Sequence, residues 1–214
     1  MSTHRTLFAS TLGLALVVGA LLMPASCTSR TPPKDQFPTR TGPNGETIYE
    51  CSGEGCHCAG GETCHLDCPA GGCKLECLEG SKCTYECTGG NCELDCDEGS
   101  TCTMGCSGGR CLYDCDLSAN CTIDCPNGNC DVRSCDEGST CLIKCPGGNC
   151  NVLCEANADC TVECPGGGCA TQCSGAKSCK QTCSGDCRMS CASAGSCTQS
   201  CDSPLGCICE NCTQ

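Results

Sequence analysis

Residues 64–82 read CHLDCPAGGCKLECLEGSK, residues 83–101 read CTYECTGGNCELDCDEGST, and residues 102–120 read CTMGCSGGRCLYDCDLSAN. Aligned on their first cysteine, the three segments carry Cys at the same four places, with spacings of 4, 5, 4 and 6 and hence a period of 19. The period runs on through CTIDCPNGNCDVRSCDEGST (121–140, one residue longer), CLIKCPGGNCNVLCEANAD (141–159) and CTVECPGGGCATQCSGAKS (160–178). A shortened unit at 179–196 and a fading one from Cys197 complete it. Self-similarity at a fixed period marks a stacked-repeat architecture.

Each unit holds two Cys-x-Φ-x-Cys pentads, Φ being Leu66, Leu75, Tyr85, Leu94, Met104, Tyr113, Ile123, Ile143, Val152 and Val162. On a strand, Cys, Φ and Cys face one way and the two x residues the other. On a helix, positions i, i+2 and i+4 share no face, and Cys, Gly, Thr and Asp are poor helix formers. The pentads are therefore expected as strands. A Gly-rich corner (PAGG, TGGN, SGGR, PGGN) and an acidic corner (LEGSK, DEGST, EANAD) alternate between them, with Gly and Asn suited to the positive-φ positions of tight turns. The fold class that follows is all-β: a disulfide-stapled β-solenoid of 19-residue coils, two short strands per coil. Eight coils stacked ~4.8 Å apart give a rod of roughly 40 Å.

Composition agrees. Of 214 residues 37 are Cys and 28 Gly, with 2 Phe, 3 Tyr and no Trp, which excludes the large packed core of a doubly wound sheet, a barrel enzyme or a helical bundle. Cross-links must stand in for the missing core. The second Cys of one strand faces the first Cys of the next across the Gly corner, so Cys68–Cys73, Cys87–Cys92 and Cys106–Cys111 are the expected corner bridges. At the other edge Cys64–Cys77 within a coil and Cys77–Cys83 between coils compete. The extra residue of CDVRSC (130–135) predicts a β-bulge. In general plan the array resembles the disulfide-stapled β-solenoids of insect antifreeze proteins. Repeat length and outward residues differ, so the resemblance implies scaffold and not activity.

The N-terminal 26 residues have the form of an export signal: Arg5 in a short basic region, then the 12-residue apolar run LGLALVVGALLM (12–23), too short to span a bilayer. Pro24-Ala25-Ser26-Cys27 resembles the lipobox of bacterial lipoproteins, although Pro24 stands where an aliphatic residue is usual. The resemblance implies lipid attachment at Cys27, and Thr28, in place of a retention Asp, implies the outer membrane. Parity supports this, since Cys51 to Cys212 number 36 and Cys27 is left over. Residues 27–50, with Pro32, Pro33, Pro38 and Pro43, read as a lipid-anchored tether, and residues 51–214 as the repeat domain.

The functional expectation is an exported cell-envelope structural or binding module without catalytic activity, partnered by the membrane through its lipid and by a surface glycan or protein. Residues 51–214 carry 22 acidic and 8 basic side chains, which argues against nucleic acid. The runner-up is a metallothionein-like metal binder, for which Cys56, His57, Cys58, Cys64 and His65 form the best Zn²⁺ set. No cofactor is expected. A weak Ca²⁺ ladder on Glu76, Asp95 and Asp114 is the remaining ion alternative, against a solvated acidic face. An enzyme ranks third: the array holds two histidines, and its carboxylates recur with the repeat instead of converging. Cys209-Glu210-Asn211-Cys212 has thiol–disulfide exchange spacing but no thioredoxin-like context, and reads as a terminal cap.

Overall fold

The computed structural model describes residues 33–53, 55–203 and 206–212. Cys27 and the segment expected to be an export signal lie outside the described residues. Apart from one 3-10 turn at Lys34–Gln36, every regular element described is a strand, and the strands form one sheet of ten and one of nine. The first pentad of each repeat enters the ten-stranded sheet (Thr63–Asp67, Lys82–Glu86, Thr101–Gly105, Asn120–Asp124). The second enters the nine-stranded sheet (Lys74–Cys77, Glu93–Cys96, Leu112–Cys115). Pairing along the repeat is parallel and joins equivalents one period apart, such as Cys64 with Cys83 and Leu66 with Tyr85. The molecule is a β-solenoid of about eight coils.

The two walls face each other through a one-layer interior. All ten Φ residues are at most 3% exposed, as is Val132. They stack as two columns, Leu66–Tyr85–Met104–Ile123–Ile143–Val162 and Leu75–Leu94–Tyr113–Val132–Val152. The Tyr85 hydroxyl donates to the Asp95 carbonyl at 3.1 Å, so the bulkiest side chain of its column brings its polar end to a backbone partner.

Eighteen disulfides close all 36 cysteines from Cys51 to Cys212. Cys68–Cys73, Cys87–Cys92 and Cys106–Cys111 staple the Gly corners. At the acidic edge Cys77 bonds Cys83 of the next coil, and Cys64 bonds Cys58, which decides between the two competing patterns. Each short closure restricts the unfolded chain by about 2 kcal/mol in the loop-entropy picture. The bulge falls where the extra residue is, with the register shifting between Val132 and Ser134.

The Gly corners stack as closely as the strands. Gly128 has φ +69°, and a side-chain carbon there would run into the backbone carbonyl of Gly148 in the next coil. Only Gly meets both conditions. The following residue, Asn129, donates its N–H to the Gly148 carbonyl at 3.0 Å, so the ladder continues around the corner.

The structure departs from the expected tether in residues 39–50. Thr39–Thr41 pairs antiparallel with Thr47–Glu50, which joins the ten-stranded sheet in parallel beside Thr63–Asp67. The reason is local: Thr47-Ile48-Tyr49-Glu50 is a β-forming run, and its register sets Tyr49 over Leu66, the first rung of the inner column. Ile48 is 2% exposed. The solenoid thus begins with a hairpin cap, and Pro33 bridges His57 at the edge of the other sheet.

Candidate functional site: an acidic ridge on the nine-stranded sheet

Outward positions recur every coil, so one residue type repeated in sequence becomes a column in space. On the nine-stranded sheet Glu76, Asp95 and Asp114 sit in register on successive strands. Two residues on, at the corner, Asp97, Asp116, Asp136 and Glu155 form a second column, each N–H bonded to a cysteine carbonyl one coil back. Seven carboxylates thus share a ridge about two residues wide.

Cations sit at its margins. Lys74 Nζ lies 2.8 Å from Glu76 and 3.7 Å from Asp95. Arg133 reaches Glu93 at 3.5 Å and Asp114 at 4.0 Å. Ser134, opposite Asp114 beyond the bulge, donates to its carboxylate at 3.3 Å. Two positive charges do not balance seven negative ones, and the imbalance appears in the titration. Burial, with Asp97 and Asp116 beside it, pushes Asp95 up to about 7 against the pull of Lys74. Burial, Asp116 and Glu76 push Asp97 up to about 6. Asp114 and Asp116 are raised too, burial being the largest cause for each. The ridge holds protons near neutrality, and hard cations compete for the same oxygens.

The alternative Zn²⁺ set is not brought together as thiolates. Cys56 bonds Cys51 and Cys58 bonds Cys64, so the donors are bridged sulfurs. His57 lies on the nine-stranded sheet, in register with Glu76, and His65 on the ten-stranded one. The close cysteine groups elsewhere, such as Cys87, Cys92 and Cys111, are likewise members of disulfides.

The ten-stranded sheet is different in character. Its outer face carries the column His65, Thr84, Thr103, Thr122, Leu142, Thr161, Lys180 and Thr198. At its capped end Arg40 reaches from the hairpin to Asp67 at 2.7 Å and Glu50 at 3.2 Å. Asp67 Oδ1 and His65 Nε2 are buried beside it with no hydrogen-bond partner. His65, Tyr49, Glu46 and Thr84 line a groove of about 700 Å³ along the hairpin. Sequence reasoning named the first acidic column and missed both the second and the arginine clamp. The second was readable as one recurring corner position, Asp97, Asp116, Asp136 and Glu155; Arg40 gives no periodic signal.

Comparison with protein-family models, curated proteins and solved structures finds no match for this chain.

Proposed function

We propose that this chain is an exported cell-envelope protein, lipid-anchored through Cys27, whose solenoid is a structural and binding module without catalytic activity. The observation that supports the reading most is the closure of all 36 cysteines from Cys51 to Cys212, leaving Cys27 as the odd one in the sequence. Disulfides at this density form and persist in oxidising compartments. A lone cysteine after an apolar leader is suited to acylation. The acidic ridge supplies the binding face, for cationic groups on an envelope protein or for a surface glycan held through divalent cations.

The test is metabolic labelling with a fatty-acid analogue, followed by envelope fractionation. Label on the wild-type chain and none on Cys27→Ala, which shifts to the soluble fraction, is the expected result. An unlabelled wild-type chain, or label kept by the variant, overturns the anchor.

A further inference from the structure

Sulfur is distributed unequally along the rod. Of the 36 cysteines in the array, 32 are buried, and the four that are partly exposed, Cys201, Cys207, Cys209 and Cys212, make up the last two disulfides. The partly exposed cystines of the described residues therefore lie at one end.

That end departs from the repeat in a specific way. Cys209 pairs in register with Met189, placing it over the inner Φ column instead of over a cysteine. The chain then turns through Glu210 and Asn211, the latter at φ +60°, and returns Cys212 to the sulfur edge. Cys212 Sγ stands 3.7 Å from Cys191 Sγ, a member of the neighbouring Cys191–Cys197 bridge. One coil further in, Cys197 shares a 4.8 Å sulfur cluster with Cys173 and Cys179, themselves bridged to each other. Deeper on the same edge Cys115, Cys135 and Cys141 cluster in the same way. The edge is a ladder of disulfides in near contact, and its terminal rung is the accessible one.

We propose that Cys209–Cys212 is a thiol–disulfide exchange site for external thiols and dithiols, and that Cys212 passes the exchange inward to Cys191–Cys197. The chemistry balances without another reagent. An external thiolate attacks Cys209 Sγ, the mixed disulfide forms, the Cys209–Cys212 bond breaks, and the electron pair leaves on Cys212. Cys212 then attacks Cys191, forming Cys191–Cys212 and releasing Cys197 as the new thiolate. Cys197 lies within reach of Cys173–Cys179 for a third exchange. Each step conserves the number of disulfides, and the proton lost by the entering thiol is taken up by the last thiolate. If a dithiol enters, its second thiol resolves the mixed disulfide at Cys209, leaving the dithiol cyclised and the protein two electrons reduced.

Burial raises a thiol's pKa, so the incoming equivalent is drawn back toward the exposed end as thiolate. The ladder thereby confines reduction to its terminus while letting the terminal thiol sample inner rungs.

The experiment uses the oxidised mature protein. In Cys209→Ser, Cys212 is left as the one free thiol of residues 51–214. After incubation at pH 8, acid quenching and alkylation, peptide mapping is expected to find the single label divided between Cys212 and Cys197, with a Cys191–Cys212 cross-link. In Cys212→Ser the label is expected to stay on Cys209, because the sulfur that touches Cys191 is gone. Label confined to Cys212 in the first variant, with Cys191–Cys197 intact, overturns the proposal. Wild-type protein treated with a tenth of an equivalent of dithiol per disulfide provides an arm free of mutation. Labelling first at Cys209 and Cys212 and then at Cys197 supports the site, and labelling spread evenly over the array overturns it.

Discussion

The two ends of the rod solve the same problem with different material. A stack of parallel strands leaves unpaired backbone on its outermost rungs. At the N-terminal end sequence outside the repeat takes that role: the hairpin 39–50 covers the first rung, Tyr49 continues the inner column over Leu66, and Arg40 clamps Glu50 and Asp67. At the C-terminal end the repeat decays in place. The inner Φ residues give way to Thr171, Gln181 and Gln199, the coil shortens, and the last bridges are partly exposed. A polar chain replaces packing there: Gln181 donates to Thr171 Oγ1 at 3.0 Å, and Gln199 donates to Gln181 Oε1 at 2.9 Å. The contrast teaches that hydrophobic burial caps one end, whereas the other relies on hydrogen bonds and sulfur.

Complete reduction is the largest perturbation of that contrast. Two Φ residues per coil bury too little apolar surface to offset the ordering of 19 residues at about 1 kcal/mol or more each. Excess reductant in native buffer is expected to abolish the far-UV β signal and the protease resistance of the whole rod. Limiting reductant is expected to expose the C-terminal coils to protease first. A reduced protein that keeps its β signal would show that stacking alone holds the coils.

Next come point changes in the regular middle. Gly128→Ala combines a positive φ with a clash against the Gly148 carbonyl and is expected to cost about 3 kcal/mol in denaturant unfolding. Ile143→Ala, in a fully buried column with Ile123 and Val162 above and below, is expected to cost about 2–4 kcal/mol. At the decaying end the logic inverts. Gln181→Leu restores the repeat's own Φ residue yet is expected to destabilise by about 1–3 kcal/mol, because it strips partners from Thr171 and Gln199. If Gln181→Leu stabilises instead, the polar chain is a tolerated defect and the two ends differ less than described.

How much of this was legible follows from what repetition encodes. Strand faces, the inner columns, the bulge at Val132–Ser134 and the first acidic column all follow from the spacing of 19 and the two-residue alternation, both visible in CTYECTGGNCELDCDEGSTC (83–102). The choice of Cys77–Cys83 over Cys64–Cys77 was not legible. Both place sulfurs at the same edge, and only the path of the chain between coils separates them. The hairpin was hidden by composition: four prolines in residues 27–50 describe a tether, whereas Ile48 and Tyr49 acquire meaning only once an open rung exists to receive them. Cys212 likewise has its neighbour Cys191 only because the last turn breaks the period.

The smallest effect concerns pH and reads the acidic ridge directly. Asp95, at about 7, and Asp97, at about 6, bind protons more tightly in the fold than in the unfolded chain, where ordinary carboxylates titrate near 4. A raised folded value contributes stability that is fully present below the unfolded pKa and is lost as pH rises through the folded one. Stability should therefore climb as pH falls from 8 to 5 and level off near 4. Both groups keep some solvent contact, so screening reduces the pair's effect to on the order of 1 kcal/mol. Urea midpoints of the oxidised protein at pH 8 and pH 5, in low salt, measure it. Asp95→Asn should raise the pH 8 midpoint and flatten the profile, since it removes the most strongly shifted charge. Millimolar Ca²⁺ at pH 8 separates the two uses of the ridge. If Glu76, Asp95 and Asp114 hold a hard cation across rungs, the ion reproduces the acid stabilisation in the wild type and not in Asp95→Asn. If the ridge is a solvated face, Ca²⁺ shifts both proteins alike, as added salt does. A midpoint that falls between pH 8 and pH 5 would mean that the loss of Lys74 and Arg133 pairing on protonation outweighs the relief of repulsion at Asp95 and Asp97.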